Sequence, residues 1–539
     1  MFDKMRAEQK EHVKNSVGRL AFTGLSFLIQ IGWLVLLFIR LNEYSTTIAL
    51  LTSIVAFSLA LRIYGKHENA AFKMSWIILL LLFPILGLCL YGLFGHTDMI
   101  GRKKQRQFEK LDGALFPLLP QEELVMKRLE EADYGVANQC RYINRFSGFP
   151  VYDNTKVDFY AEAAEGFEAQ LAEMEKAEKY IFMEYHAIEE ATAFAAIREV
   201  LLRKAAEGVE IRMLYDDVGS VGFIDTGFIK RMEAIGAQCR VFNPVFPVLN
   251  LFMNNRDHRK ITVIDGKVGF TGGYNLADEY FNITHSYGYW KDTGVKLTGD
   301  AVKSLLVMFL EMWNAMKETD SDFGKYLEAA DEGTESEREN VCAQPVAEYD
   351  RECRTVSAGY VQPYADSPLD TEPIGENVYL NLIKNAKRKL YIATPYLIIS
   401  DEMNRELGLA AKRGVDVRVI TPGIPDKKMI YKITRSYYAG LVLQGVRVYE
   451  YTPGFIHEKQ VLCDDECATV GTINFDYRSL YHHFENGVFL YKCEAVRDIS
   501  RDFDETLEKC AEVTEFYKSG RSAVLRGTQC LLRLFAPLL

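Results

Sequence analysis

The sequence lacks features that mark several common protein classes. Its formal net charge is −11, so it has no excess of lysine and arginine of the kind that general nucleic-acid binders usually carry. Its ten cysteines include no C-x2-C pair, and Cys463 and Cys467 lie across a short predicted hairpin. We therefore expect free thiols in a reducing environment, no metal site, no cofactor, no nucleic-acid partner and no obligatory protein partner.

Long uncharged runs occur near the N-terminus, at residues 21–39, 44–61 and 74–95. A helix over the first run would be about 28 Å long, close to the hydrocarbon thickness of a bilayer. We therefore expect residues 1–110 to form a helical transmembrane region with two or three such segments. Pro84 and Gly87 permit a kink or a re-entrant hairpin within the third run.

Basic residues flank this region on both sides. They are Lys4, Arg6, Lys10, Lys14 and Arg19 before it, and Arg102, Lys103, Lys104 and Arg106 after it. Both groups favour the cytoplasmic side, which three full crossings cannot satisfy unless one segment only dips in or lies in the interface. We expect a multi-pass protein of the cell membrane with a cytoplasmic catalytic region. The second group could equally contact anionic lipid headgroups.

The remaining chain is too long for one hydrophobic core. An acidic run at residues 331–339 has few core residues and predicts a solvated linker over 327–356. We expect one domain at 111–326, a second at 357–516 and a C-terminal amphipathic tail at 517–539. This tail could be an interfacial helix or could pack on the catalytic domain.

One pattern of charged residues occurs twice. His258-Arg259-Lys260 is followed by Asp265 five residues after the lysine, and His457-Glu458-Lys459 is followed by Asp464 at the same spacing. A glycine and then an asparagine follow each copy at equal offsets, the asparagines being Asn275 and Asn474. A chain with nine histidines should show one such match by chance only about 0.03 times. The chain therefore carries a duplicated half-site.

The segments before each motif also correspond. In each half, helical patterns end at a glycine and alternate with short apolar strands; the glycines are Gly208 and Gly236 in the first half, and Gly414 and Gly445 in the second. This order predicts two tandem α/β domains related by a pseudo-twofold axis, each a largely parallel sheet between helices. The site is then expected at the junction of the two domains.

The motif residues suit phosphodiester chemistry. In a strand, residues i and i+2 share a face, so His258 and Lys260 should line one pocket wall, and Asp265-Gly266 predicts a tight hairpin that brings Asn275 back to it. An imidazole can attack or protonate, an ammonium supplies positive charge and an amide donates hydrogen bonds to phosphoryl oxygens. An attacking imidazole also needs an acceptor on its other nitrogen. Asp292 and Glu485 are the candidates.

Three further tracts contribute to a family resemblance. They are Gly272-Gly273-Tyr274-Asn275-Leu276-Ala277-Asp278-Glu279-Tyr280, Trp290-Lys291-Asp292-Thr293 and Asn474-Phe475-Asp476-Tyr477-Arg478-Ser479. With the two motifs, they make the chain resemble the HKD superfamily of phospholipase D enzymes, and within it the bacterial cardiolipin synthases. The resemblance covers nearly the whole chain.

The resemblance implies roles for ten residues. The motif residues His258, Lys260, Asp265, His457, Lys459 and Asp464 form the catalytic set, although the two aspartates are usually regarded as structural in the family. Asn275 and Asn474 would bind phosphate. Asp292 would support His258, the expected nucleophile, and Glu485 would support His457, the expected acid.

The activity implied is cardiolipin synthesis in the bacterial plasma membrane, with phosphatidylglycerol and other anionic lipids as partners. A phosphatidyl group passes from one phosphatidylglycerol to a histidine, glycerol leaves, and a second phosphatidylglycerol takes up the group. Residue spacing does not identify that acceptor. A hydrolytic phospholipase D, a phosphatidylserine synthase of the same superfamily and an inactive membrane scaffold remain as alternatives.

Two apolar segments have open interpretations. Tyr396 belongs to a strand-like run and could lie in the sheet core or line the substrate cleft. Residues 246–252 could dip into lipid beside the site or form a buried loop.

Overall fold

The computed structural model describes residues 46–66, 69–94, 98–244, 255–328, 359–518 and 527–538, with scattered positions between 18 and 36. Part of the first uncharged run, the segment 246–252 and almost all of the predicted acidic linker lie outside the described residues.

Four described helices precede the first sheet domain. They are α1 (Thr46–Tyr64), α2 (Ala70–Leu82), α3 (Pro84–Phe94) and α4 (Asp98–Leu115). The third uncharged run is divided between α2 and α3, because Phe83 leaves the helical conformation and Pro84 starts a new helix. The predicted break at Pro84 is therefore confirmed. The predicted domain boundary at residue 110 falls inside α4.

The two short helices lie close together at Gly87, where an added Cβ would be 2.8 Å from the Leu80 Cα. Within the described ranges, none of the helices combines the length and the apolar character that a membrane crossing requires. The expectation of transmembrane helices is therefore not supported by these residues.

The first domain has nine strands, and seven of them form one sheet. Its nine strands are β1 (Lys156–Tyr160), β2 (Tyr180–Tyr185), β3 (Glu210–Asp216), β4 (Gln238–Phe242), β5 (Arg256–Asp257), β6 (Lys260–Ile264), β7 (Val268–Gly272), β8 (Tyr289–Lys291) and β9 (Gly294–Thr298). Its helices are α5 (Glu123–Ala132), α6 (Tyr134–Ser147), α7 (Ala163–Met174), α8 (Thr192–Ala206), α9 (Asp217–Ser220), α10 (Phe228–Ala234) and α11 (Val302–Met316). The sheet order is β1-β9-β7-β6-β2-β3-β4, while β5 and β8 pair elsewhere.

The second domain repeats this plan. Its strands are β10 (Tyr360–Asp366), β11 (Lys389–Ala393), β12 (Leu397–Ile398), β13 (Asp416–Pro422), β14 (Arg447–Tyr451), β15 (Gly454–Ile456), β16 (Gln460–Cys463), β17 (Cys467–Gly471), β18 (Phe475–Asp476), β19 (His483–Tyr491) and β20 (Cys510–Glu512). Its helices are α12 (Ile374–Asn385), α13 (Asp401–Lys412), α14 (Lys428–Val442), α15 (Tyr477–Tyr481), α16 (Glu494–Glu508), α17 (Thr514–Lys518) and α18 (Gly527–Phe535). The order β10-β19-β17-β16-β11-β13-β14 matches the first sheet strand for strand.

Both sheets are mixed, so the expectation of largely parallel sheets is wrong. In the first sheet only the β2–β3 and β3–β4 pairings are parallel, and the other pairings are antiparallel. The reason is local. Asp265 and Gly266 have φ values of +53° and +70°, which are typical of a two-residue type I′ turn, and such a turn makes β6 and β7 antiparallel.

Short strands join the two domains. β5 runs parallel to the start of β19, and β8 runs parallel to β15. The helix α11 is buried at 13 of its 15 residues, and it belongs to a hydrophobic core that contains Ile261 from the first domain and Leu462 from the second. The predicted pseudo-twofold arrangement is thus present, with the motif histidines where the interdomain strands meet.

Candidate active site

Each motif aspartate lies in the turn of its hairpin and binds the backbone that leads into a strand of the same sheet. Asp265 accepts hydrogen bonds from the backbone N–H groups of residues 178–180, at 2.7–2.8 Å. Asp464 accepts the same three bonds from residues 387–389, at 2.7–2.9 Å. Each strand after the lysine is four or five residues long, so the aspartates lie a full strand away from the lysines. These bonds fit the structural role that the resemblance implies for both aspartates.

Each histidine is anchored by the opposite domain. The His258 N–H donates to the Phe484 carbonyl at 2.9 Å, and the His457 N–H donates to the Lys291 carbonyl at 2.7 Å. Phe484 directly precedes Glu485, and Lys291 directly precedes Asp292. The interdomain strands therefore set each histidine beside a carboxylate of the other domain.

The histidine–carboxylate pairing is the reverse of the one expected. His258 Nδ1 lies 2.9 Å from Glu485 Oε2, and His457 Nδ1 lies 2.6 Å from Asp292 Oδ2. The expectation had paired each histidine with the next carboxylate along the chain. It is wrong because β5 pairs with β19 and β8 with β15, which exchanges the carboxylates between the domains.

In each domain, the residue that follows the motif glycine (Gly272 or Gly471) lies against that domain's own carboxylate. In the second half the Thr472 hydroxyl donates to Glu485 Oε2. In the first half the position is Gly273, and a Cβ there would be 2.0 Å from Asp292 Oδ1. Asp292 instead accepts a hydrogen bond from the Thr293 N–H at 3.0 Å. Both carboxylates are fully buried and held in place.

The two lysines are buried at the centre of the site. Lys260 Nζ donates to the His258 carbonyl at 2.6 Å, and Lys459 Nζ donates to the His457 carbonyl. Lys459 Nζ also lies 2.7 Å from His457 Nδ1. The charges of Glu485 and Asp292 raise the pKa of both lysines, and the charge of Lys459 also lowers the pKa of Lys260. The half-sites therefore form one electrostatic unit.

Burial shifts the protonation equilibria of these groups. It lowers the pKa of both His258 and His457 well below their usual range, and the charges of the two lysines lower it further. Burial also lowers the pKa of Lys260 to about 7 and of Lys459 to about 8, and it raises the pKa of Asp292 to about 6. These shifts favour neutral imidazoles while no anion is bound, and the charge of a bound anion would favour their protonated forms. A bound anion would favour the charged lysines, so the site suits a negatively charged group.

Both motif asparagines are buried. Asn275 donates through Nδ2 to the Tyr280 hydroxyl at 2.7 Å, and it accepts from the Ala187 N–H at 3.1 Å. Asn474 Oδ1 has no hydrogen-bond partner among the described residues. Because rotation exchanges the two ends of an amide, Asn474 can present an N–H donor to a bound oxygen.

The two histidines have different surroundings. Three aromatic rings surround His457, with centroid distances of 5.2 Å to Trp290, 5.4 Å to Tyr280 and 5.8 Å to Phe455. His258 instead contacts two further imidazoles, His186 at 4.9 Å and His483 at 5.5 Å. These neighbours are not among the site residues predicted from the sequence. For two of them the sequence contains a signal, because Trp290 and His483 each lie two residues before one of the two predicted carboxylates.

Tyr396 lies at the edge of the site rather than in the sheet core. Its hydroxyl donates to Asp426 at 2.5 Å, and its ring centroid is 6.3 Å from Phe455. The exposed Lys427 lies close enough for its charge to lower the pKa of both His258 and His457, after burial and the two buried lysines. A tyrosine and a lysine therefore flank the approach to the histidines.

The family model described as "Cardiolipin synthase, PLD-like domain" matches residues 171–313 and 379–507, once in each domain. A second model, "Phospholipase_D-nuclease N-terminal", matches residues 50–96, which include most of α1 and all of α2 and α3.

Similar proteins extend over most of the chain. An "Uncharacterized protein" of Streptococcus mutans is 41% identical over 465 residues, which are 86% of this chain and 96% of that protein. "Cardiolipin synthase 2" of Bacillus anthracis is 32% identical over 493 residues, 90% of each chain. "Cardiolipin synthase" of Geobacillus kaustophilus is 32% identical over 482 residues, 89% of this chain and 91% of that one.

Solved structures with a similar fold include one that matches most of the chain. It is the phosphatidylserine synthase of Haemophilus influenzae Rd KW20, which covers 74% of this chain and 97% of its own, with a TM-score of 0.51. At 14% sequence identity this likeness shows the two-domain architecture alone.

Proposed function

Because this chain belongs to the family of cardiolipin synthases with phospholipase D-like domains, and is a phospholipid phosphatidyltransferase, we propose that it makes cardiolipin from two molecules of phosphatidylglycerol. The observation that carries the proposal is the pair of complete half-sites, each with a histidine and a lysine, joined through crossed carboxylates. The names of its relatives support the choice of substrate.

In the first step, His258 Nε2 attacks the phosphorus of one phosphatidylglycerol. The new bond is between nitrogen and phosphorus, and the bond from phosphorus to the headgroup glycerol oxygen breaks. His457 gives a proton to this oxygen, so glycerol leaves. Glu485 accepts the Nδ1–H of His258, which keeps Nε2 unprotonated for the attack.

In the second step, the terminal hydroxyl of another phosphatidylglycerol attacks the same phosphorus. His457 removes the hydroxyl proton, the nitrogen–phosphorus bond breaks, and His258 is regenerated. The product is cardiolipin, and His457 is again protonated for the next cycle. Asp292 stabilises that imidazolium.

Lys260 and Lys459 offset the charge that develops on the phosphoryl oxygens, and Asn474 donates to one of them. Asn275 acts with Tyr280, to which it is hydrogen-bonded, and this tyrosine lies against His457. These groups supply the charge and the donors that the transition state requires.

We place the enzyme at the cell membrane, with residues 1–110 as the membrane region, catalytic domains at 111–326 and 357–516, and the catalytic side cytoplasmic. The N-terminal family match and the uncharged runs support this placement.

The test is to incubate purified protein with phosphatidylglycerol labelled in both its acyl chains and its headgroup glycerol. Cardiolipin and free glycerol in equal amounts are expected. Phosphatidic acid as the main lipid product would instead identify a hydrolytic phospholipase D. Phosphatidylserine formed only from a nucleotide-linked lipid and serine would identify a phosphatidylserine synthase, and no product at all would indicate an inactive scaffold.

A further inference from the structure

One half-site contains a third imidazole beside its carboxylate. His483 Nδ1 lies 3.4 Å from Glu485 Oε1, and Glu485 lies 2.9 Å from His258 Nδ1. One donor atom from each of the three residues lies within 4.8 Å of the other two. This group is the one set of that kind among the residues that the structure describes.

His483 is buried without a use in the proposed transfer. Its side chain is 10% exposed, and neither ring nitrogen has a hydrogen-bond partner of good geometry in the described part of the chain. Buried polar atoms are nearly always paired, so an unpaired imidazole aimed at a carboxylate indicates a ligand. The other half-site, which contains His457 and Asp292, has Trp290 at the equivalent position. An indole N–H can donate a hydrogen bond but cannot bind a metal ion.

We propose that His258, Glu485 and His483 form a binding site for one transition-metal ion of the Zn²⁺ type, and that the bound ion inhibits the enzyme. Two imidazoles and a carboxylate, with a fourth position open, are a ligand set that suits zinc. The 2.9 Å and 3.4 Å separations are close to those between ligands that share an ion at about 2.0 to 2.2 Å.

The inhibition follows from the chemistry of His258 and rests on the proposed function. A metal ion on Nδ1 takes the position of the Nδ1–H, so the remaining ring proton lies on Nε2. A protonated Nε2 has no lone pair with which to attack phosphorus. The ion also occupies Glu485, which can no longer hold the attacking tautomer.

The binding test uses the full-length protein after chelator treatment, titrated with Co²⁺ as a spectroscopic probe. We expect the visible absorption of a four-coordinate site, saturating at one ion per chain. His483→Asn and His483→Gln should each remove this absorption, whereas His285→Asn, which changes an exposed histidine, should leave it unchanged.

The inhibition test follows phosphatidyl transfer against Zn²⁺ concentration in the same proteins. Both His483 variants should keep most of their metal-free activity, which also shows that they fold. The concentration for half-inhibition should rise by more than about 10-fold, since even residues that only support a metal ligand contribute this much to affinity.

Saturable Co²⁺ binding that survives both His483 substitutions would overturn the site, as would its absence from the wild-type chain. Equal Zn²⁺ inhibition of wild type and His483→Asn would also overturn it. Co²⁺ binding that depends on His483 in a protein without transferase activity would keep the site and reject the proposed function.

Discussion

Nδ1 of His258, in the first domain, lies 2.9 Å from a carboxylate oxygen of Glu485, in the second domain. The reciprocal pair joins His457 of the second domain to Asp292 of the first. Each domain therefore supplies a histidine and the carboxylate that orients the other domain's histidine. It follows that neither half-site is complete without the other domain.

The crossed pairing makes a prediction about two neutral substitutions. Glu485→Gln and Asp292→Asn should each lower kcat by about 10²- to 10⁴-fold, since each removes the partner of one catalytic imidazole. The first impairs attack by His258 and the second impairs proton donation by His457. A phosphatidyl ester of p-nitrophenol, whose leaving group needs no proton, should restore intermediate formation in Asp292→Asn but not in Glu485→Gln.

The measurement is the burst of p-nitrophenolate in rapid mixing, with wild type as the reference. The reverse rescue pattern would show that Asp292 serves the attacking histidine. Equal bursts in both variants would remove the carboxylates from the mechanism.

The motif aspartates should affect stability rather than chemistry. Asp265→Asn removes the charge that three backbone N–H groups bind, and hydrogen bonds to a charged group are worth about 1.5–3 kcal/mol each, so we expect a loss of about 3 kcal/mol or more. Asparagine tolerates the positive φ of this position. The measurement is the free energy of unfolding in denaturant.

Asp465→Asn is the matched control. Asp465 has the same backbone conformation, with φ of +59°, but its side chain is 48% exposed and pairs with Lys389. The Asp465→Asn substitution should lower the free energy of unfolding by less than about 1 kcal/mol. If Asp265→Asn folded with wild-type stability but lost its activity, the aspartate would belong to the catalytic set after all.

The local structure around the motifs could be predicted from the sequence. The apolar run at Tyr180–Tyr185 forms one of the predicted short strands, and Gly208 and Gly414 end helices with φ of +93°. The Asp265-Gly266 pair forms the expected turn. These features depend on neighbours along the chain, which is why short-range patterns are enough to predict them.

The pairing of the carboxylates could not be predicted in this way. It depends on β5 and β8, which are two and three residues long and pair only with strands of the other domain. Nothing in their own sequence identifies that partner. His483 was missed for a related reason, since nothing in the sequence next to it, where it follows His482 and begins β19, indicates that it lies beside His258.

The protonation equilibria predict a bell-shaped dependence of kcat/KM on pH. Asp292 has a pKa raised to about 6, so below that pH it loses the charge that supports His457. The pKa values of Lys260 and Lys459 are lowered to about 7 and about 8, so above that range the site loses positive charge. The free enzyme should work best between about pH 6 and 7, because Lys260 begins to lose its charge above pH 7. A profile that stays flat from pH 6 to pH 9 would contradict this assignment.

Chelators should not reduce the chemical step. The two buried lysines already supply the positive charge that a divalent ion would bring to the phosphoryl oxygens. Activity after exhaustive dialysis against EDTA should equal or exceed the starting activity, because removal of an ion from His258 and His483 would relieve inhibition. An activity that disappears and returns with one specific metal would falsify the account based on lysine.

The final prediction is that the phosphatidyl group is carried by His258. Glu485 holds its Nδ1 while Thr472 holds Glu485, so the attacking nitrogen is fixed. His457 Nδ1 lies 2.6 Å from Asp292, whose negative charge supports the imidazolium that a proton donor needs. Acid quenching during turnover, followed by mass spectrometry of the peptides, should locate the adduct on His258.

Substitution of either histidine gives the matching controls. His258→Ala should form no adduct with any substrate. His457→Ala should form the His258 adduct from the p-nitrophenyl ester and then accumulate it, because the base that activates the acceptor hydroxyl is missing. Both should lose at least about 10²-fold in transfer from phosphatidylglycerol, and retention of more than about a tenth would exclude the two-histidine mechanism. An adduct found only on His457 would exchange the two roles and leave the paired site intact.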